Sequence, residues 1–219
     1  MKLSASKLTL PVNTSGRDFV VGDLHGCVDG LYQQLQQLNF DKQQDRLICV
    51  GDLIDRGPQS QRALELLEKP WFFSVLGNHE YLMVNALKYH NNQDKMLWLQ
   101  HGGDWITSTD PCHWPDWFCA IEAMPIAIEV HNASGLAYGI VHADYPLNDW
   151  HQFETLTEHE LKQCIWGRTH FKERSQHVVA NVDCLVHGHN ISEQELQLGN
   201  RLYIDQGAYL GNPLTIKQL

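Results

Sequence analysis

Three short apolar runs in the first third of the chain each stop at a glycine followed by a burst of polar residues. Phe19-Val20-Val21 runs into Gly22-Asp23-Leu24-His25-Gly26, and Leu47-Ile48-Cys49-Val50 runs into Gly51-Asp52-Leu53-Ile54-Asp55-Arg56-Gly57. Trp71-Phe72-Phe73-Ser74-Val75-Leu76 runs into Gly77-Asn78-His79-Glu80. Unbroken apolar runs of this length predict strands buried on both faces. Between them the period changes. Leu31, Leu35 and Leu38 recur at helical spacing up to about Asn39. Ser60 reads as the N-cap of a second helix with an apolar face of Ala63, Leu64, Leu66 and Leu67, stopped by Lys69-Pro70. This alternation of strand and helix predicts a parallel sheet built from Asp18–Val21, Arg46–Val50 and the run ending at Leu76, with residues 1–16 as a loose lead-in.

A third helix is expected from His79 to about Lys88, with Glu80 at its positive N-terminus. Met96–Leu99 reads as helical, His101–Trp105 as a turn and Asp116–Met124 as a helix. The character then changes. Ile126–Val130 and Leu136–Val141 flank Asn132-Ala133-Ser134-Gly135, a hairpin signal, and short strands follow at Cys184–Val186, Leu202–Ile204 and Leu214–Ile216. The expected architecture is an α/β sandwich of two mixed sheets flanked by helices, in one domain over residues 1–219.

Composition narrows the function. A chain of 219 residues, 43% hydrophobic, is long enough for a sizeable core. A net charge of −10 argues against nucleic-acid or membrane-surface binding, which needs a basic face. The six cysteines form no CxxC pair and read as reduced thiols. With no apolar leader and no run near membrane-spanning length, a cytoplasmic location is expected, and the oligomeric state is open.

The polar bursts carry the chemistry. In parallel sheets ligands bind at the carboxyl ends of strands, where these three bursts lie. Asp23 and His25 offer a hard oxygen and an imidazole nitrogen, a mix suited to Mn, Fe or Zn. Asp52 stands in the equivalent place after the second strand, where a carboxylate can bridge two ions, and Asn78 offers a carbonyl oxygen after the third. Two ions ~3.5–4 Å apart can clamp a phosphoryl group. Each residue has a plainer reading: Asp52 as a helix cap, Asn78 as a turn residue. Three such loops in one pattern do not. Of the thirteen histidines, His142 and His189 each follow an apolar strand, with His187 the alternative to His189. His90, His113, His151, His159 and His177 lie in polar surroundings and read as solvated, while His101, His131 and His170 are undecided. Guanidinium groups match phosphate oxygens, which favours Arg56 as a phosphate binder. Arg168, beside Trp166, has a surface ion pair as its default.

Together the loops resemble the serine/threonine phosphoprotein phosphatase family of the metallophosphoesterases, fixing thirteen positions at separations of 29 and 26 residues. Asp52–Ser60, Gly102-Gly103-Asp104-Trp105, His142-Ala143-Asp144-Tyr145-Pro146 and Tyr203-Ile204-Asp205 extend the likeness to its short bacterial (PrpA/PrpB-type) and lambda-phage branch. The resemblance implies a calcineurin-like sandwich and two divalent metal ions, usually manganese in bacterial members. It implies Asp23 and His25 on one metal, Asp52 between both, and Asn78, His142 and His189 on the other. It also implies His79 as proton donor oriented by Asp55, and Arg56 and Arg168 as phosphate ligands. The implied reaction is direct attack of a metal-bridging hydroxide on phosphoserine or phosphothreonine of a protein or peptide, with phosphotyrosine as a further candidate. Rival readings are a dinucleoside polyphosphate hydrolase and a catalytically weak phosphoprotein-binding module. Two departures stand out: Leu76 replaces an arginine usual in the family, and Gln206 a frequent threonine. Leu76 is expected to leave the site one phosphate clamp short.

Overall fold

The computed structural model describes all 219 residues. In chain order it comprises β1 (Lys7–Leu10), β2 (Asp18–Val21), α1 (Val28–Gln37), β3 (Arg46–Cys49), α2 (Ser60–Leu64), β4 (Phe72–Ser74) and α3 (Asn78–Leu87). Then follow α4 (Asn92–Gln100), α5 (Trp114–Glu122), β5 (Ala127–His131), β6 (Ala137–Val141), α6 (Glu158–Trp166), α7 (Thr169–Lys172), β7 (Cys184–His187), β8 (Leu196–Leu198), β9 (Arg201–Tyr203) and β10 (Ile216–Gln218).

A four-stranded sheet runs β10-β2-β3-β4, and a six-stranded sheet runs β1-β5-β6-β7-β9-β8. In the first, β2, β3 and β4 are parallel as expected, with Val20 opposite Ile48 and Ile48 opposite Phe73. In the second, the hairpin β5–β6 is antiparallel while β6, β7 and β9 are parallel. The side-chain period of two explains the layering. Val20, Ile48, Val50 and Val75 from one sheet meet Ile128, Val130, Ile140, Val186 and Ile204 in the apolar layer between the sheets. Their neighbours Phe19, Val21, Leu47 and Cys49 point the other way, into a larger core with Leu31 and Leu35 of α1 and Ala63 and Leu64 of α2. Strands with two apolar faces therefore lie buried on both sides.

The two ends of the chain depart from expectation. Residues 7–10 are not a loose lead-in but β1, parallel to β5 in the sheet of the second half. Only Leu10 of the four is buried, so an edge strand of Lys, Leu and Thr gives little apolar signal. The last strand begins later than Leu214 and joins the first sheet, antiparallel to β2. β8 was not anticipated at all; its central Gln197 is exposed and it pairs only with β9. Ser60 is the first residue of α2 rather than its cap, because its hydroxyl accepts the Asp55 N–H at 2.8 Å instead. α6 has a full capping box, Thr157 with Glu160, which carries the chain toward Arg168.

Candidate metal and phosphate site

The polar bursts after β2, β3 and β4 converge with the ends of β6 and β7. Five of the residues singled out there have positive φ: His25 at 41°, Asp52 at 49°, Asp55 at 73°, Arg56 at 67° and His189 at 62°. Such backbone costs of order 1–3 kcal/mol per residue and persists where the surroundings enforce it. Two glycines permit the close approach. A Cβ on Gly77 would fall 2.3 Å from Asp52 Oδ1, and one on Gly188 would fall 1.9 Å from Asp23 Oδ1.

Glu80 holds two loops together. Its Oε2 accepts the N–H of Asp52 and of Gly77, both at 3.1 Å, and its Oε1 those of Leu53 at 2.8 Å and Ile54 at 3.2 Å. It is fully buried, so it does more than face the α3 N-terminus.

The donor atoms fall into two groups, each with all atoms within 4.8 Å: His25, Asp52 and His79, and Asp52, His142 and His189. Asp52 belongs to both. The imidazoles are turned by backbone carbonyls: His25 Nδ1 lies 2.8 Å from the Ile54 oxygen and His142 Nδ1 2.8 Å from that of Val50. Each Nε2 is thereby kept an acceptor facing the site, the arrangement of metal-ligating histidines. His142 Nε2 stands 3.0 Å from Asn78 Oδ1 and 3.4 Å from Asp52 Oδ1. The buried Nε2 atoms of His79 and His189 have no hydrogen-bond partner. Lone pairs and carboxylate oxygens converging on shared points, with orphaned nitrogens beside them, fit divalent cations. Asp23 lies outside both groups. Its carboxylate accepts the His189 N–H at 3.0 and 3.1 Å, and so reaches the site's edge from β2.

Electrostatics agree with a cation site. Burial pulls His25 down to about 3 and His189 well below the usual range, which favours the neutral ring that can hold a metal ion. Burial, then Asp205 and Asp52, push the Asp23 carboxyl well above its usual range. Burial acts the same way on Asp52, but the facing rings of His142, His79 and His25 outweigh it and hold Asp52 well below. Clustered buried carboxylates of this kind call for compensating positive charge.

His79 Nδ1 donates to Asp55 Oδ2 at 2.6 Å, both side chains being fully buried. Burial pulls His79 down to about 4 and pushes Asp55 up to about 8. Arg56 and Arg168 are solvent-exposed. Arg56 donates to His25 Nε2 at 2.8 Å and lies 4.8 Å from the Tyr209 ring centre. Arg168 forms no ion pair; it donates to Asn190 Oδ1 at 2.9 Å, next to His189.

His187 is not among the convergent donors. It is buried in β7, stacked on Tyr203, with Nδ1 at the Val141 carbonyl. His131 pairs with Glu129 and His170 with Asp144. His101 is exposed, its ring 6.4 Å from that of His79. Leu76 contradicts the expectation placed on it. It is 1% exposed, packs in the helix-side core, and lines a cavity of about 280 Å³ with Met1, Leu3, Met124 and Ile126, none of them a donor residue. Its side chain lies in that core and not among the donor groups. Sequence reading missed Asp205, although it too follows an apolar strand. It also missed Asn190, Trp98 and Trp105, whose partners no local pattern reveals.

Two facing mixed sheets with a histidine–aspartate cluster at their strand ends define a metal-assisted hydrolase of phosphate esters. The chain belongs to the calcineurin-like phosphoesterase family, whose signature matches residues 19–200. It is 34% identical over 204 residues to serine/threonine-protein phosphatase 1 of Salmonella typhimurium, covering 92% of this chain and 91% of that one. It is 33% identical over 117 residues to the symmetrical bis(5'-nucleosyl)-tetraphosphatase of Dechloromonas aromatica, covering 48% and 42%. A solved structure of a putative diadenosine tetraphosphatase superposes with a TM-score of 0.67 at 22% identity, covering 98% of this chain and 93% of that one, which speaks to the fold.

Proposed function

We propose that the protein is a metal-dependent phosphomonoesterase that removes phosphate from phosphoserine and phosphothreonine in proteins. The observation that carries this is Asp52 shared between two convergent donor groups, the first of which includes His79 with its unpartnered Nε2. In this reading Asp23, His25 and Asp52 hold one divalent ion, and Asp52, Asn78, His142 and His189 hold the second. Manganese is the proposed metal, with iron and zinc the alternatives for such mixed donors. When bound, the ions supply Lewis acidity and charge neutralisation at the phosphoryl group.

The chain's own residues do the rest. Arg56 and Arg168, exposed at the rim, bind the outer phosphoryl oxygens. His79 delivers a proton from Nε2 to the departing serine oxygen, while Asp55 holds Nδ1. A serine alkoxide is a poor leaving group, and such general acids contribute ~10²–10⁴-fold. His187 is given no metal role because it lies outside both donor groups.

The protein-substrate reading is supported by the near-full-length likeness to a named protein phosphatase, against under half the chain for the tetraphosphatase. The test is a panel of phosphopeptides against diadenosine tetraphosphate after chelation and metal readdition. Faster turnover of the dinucleotide with every metal would replace this substrate assignment. Phosphopeptide binding without turnover would make the protein a binding module.

A further inference from the structure

Two tryptophans converge on the carboxylate that holds His79. Trp98 Nε1, from α4, donates to Asp55 Oδ2 at 2.8 Å, and Trp105 Nε1 donates to Asp55 Oδ1 at 2.6 Å. With His79 Nδ1 at 2.6 Å, three donors surround a carboxylate with no solvent exposure. Trp98 is itself fully buried. An indole can only donate, so both oxygens of Asp55 accept, and the two bonds favour the charged carboxylate against the effect of burial, with Nδ1 of His79 as its third donor.

The segment that delivers the two indoles is built around the site. Gly102, at φ 100°, lies where a Cβ would stand 2.6 Å from the Arg56 nitrogen, and a Cβ on Gly103 would stand 2.5 Å from the Trp98 ring. The loop after α4 is thus pressed between the Arg56 backbone and the first indole. Trp117 of α5 backs the second, with ring centres 5.9 Å apart. The Asp55 N–H is fixed as well, donating to Ser60 Oγ at 2.8 Å.

We propose that Trp98 and Trp105 are positioning residues for the proton donor. Their N–H groups hold the Asp55 carboxylate in one orientation and keep it an acceptor. Asp55 in turn anchors Nδ1 of His79, which leaves the unpartnered Nε2 as the atom turned toward the site. The inference rests on the reading of His79 as general acid given above.

Packing and hydrogen bonding are separated by changing one atom. Trp105, being only half-buried, is the safer position. Site-specific replacement of Trp105 by 3-benzothienylalanine keeps the ring shape and exchanges N–H for sulfur; Trp105→Phe is the genetic companion. The manganese-loaded enzyme is assayed on a phosphoserine peptide and on p-nitrophenyl phosphate, whose leaving group needs no proton. Loss of one bond to a charged acceptor should lower kcat on the peptide about tenfold or more, leaving KM unchanged and the nitrophenyl ester within about twofold. In a His79→Asn background the same replacement should change nothing further, because the two act as a unit. Unchanged peptide turnover in the sulfur analogue overturns the proposal, as does an equal loss on both esters or a loss that persists without His79. If His79→Asn itself slows both esters equally, the general-acid reading falls and takes this inference with it. If His79→Asn is selective and the analogue is not, this inference falls alone.

Discussion

Glu80→Gln is the change that should separate the site's scaffold from its chemistry. Glu80 bonds to no side chain of the proposed metal ligands, yet its two oxygens accept four backbone N–H groups, that of Asp52 among them, from the loops that carry Asp52 and Asn78. Burial and the nearby Asp52 charge push its carboxyl up, but a proton on either oxygen would face an N–H donor, so the four contacts hold it off. In glutamine one oxygen becomes an amide nitrogen. Whichever way the amide turns, two backbone donors meet a third donor. Two bonds to a charged group are worth ~1.5–3 kcal/mol each, partly recovered as the loop relaxes and the buried charge is removed. The expected cost is about 3–5 kcal/mol, a large share of the ~5–15 kcal/mol typical of a domain. At ~2–4 °C per kcal/mol for this size, the Tm should fall by roughly 6–20 °C. Metal affinity should fall with it, because Asp52 loses the bond that fixes its strained backbone. Calorimetry on chelated and manganese-loaded protein measures both. A Tm within about 2 °C of the parent would mean that Glu80 is already a neutral acid in the fold, and the four-acceptor argument would be wrong.

Asp52→Asn should be more damaging than any other ligand substitution, since Asp52 alone belongs to both donor groups; activity after chelation and readdition of manganese measures it, and full turnover in chelated protein would refute metal dependence. Glu129 offers a pH test away from the site. Burial would raise its carboxyl, but bonds from His131, Lys7 and Trp150 prevail and hold it at about 2 against an ordinary 4.5. Because the folded pKa is depressed, its contribution, about 1–2 kcal/mol after solvent screening, is present above pH 4.5 and lost as pH falls toward 2. Urea melts of Glu129→Gln and parent should converge across that window; a constant gap would refute it. Leu76→Arg should leave inhibition by free phosphate within about twofold of the parent, because the new side chain enters the cavity beside Glu122 and not the site; a marked tightening in a folded variant would reverse that placement.

The strands nearest the site were legible because parallel strands buried on both faces must be apolar throughout and must stop where the chain turns polar. The three glycine-bounded loops could be read for the same reason: strained turns and close backbone approach demand glycine, aspartate and asparagine in a fixed order. β1 was hidden because an exposed edge strand needs no apolar face, and the side-chain partners of Lys7, Glu129 and the Trp150 ring, lie far along the chain. The sheet that β10 joins was not legible, because a short strand carries no record of its partner. Leu76 misled in an instructive way. Adjacency in sequence to Gly77 suggested adjacency to phosphate, but successive side chains along an extended segment face opposite ways. The indoles on Asp55 were invisible for the opposite reason, since 43 and 50 residues separate them from it.

The site and the fold are stabilised against each other. Five residues at positive φ and the neighbouring buried carboxylates of Asp23, Asp52 and Asp205 are costs that no local preference repays. What holds them is a set of contacts from elsewhere: Glu80 on two loops, carbonyls of Ile54 and Val50 on two imidazoles, indoles of Trp98 and Trp105 on Asp55, and Asn190 on Arg168. Each of these contacts comes from a residue that lies outside the proposed ligand set and pins one that lies within it or serves it. Removing one would therefore release strain as well as lose a bond, and its loss should appear in geometry at the site before it appears in unfolding. Cations that neutralise the carboxylates would relieve the remaining cost, so metal binding and stability of the strand ends must rise and fall together.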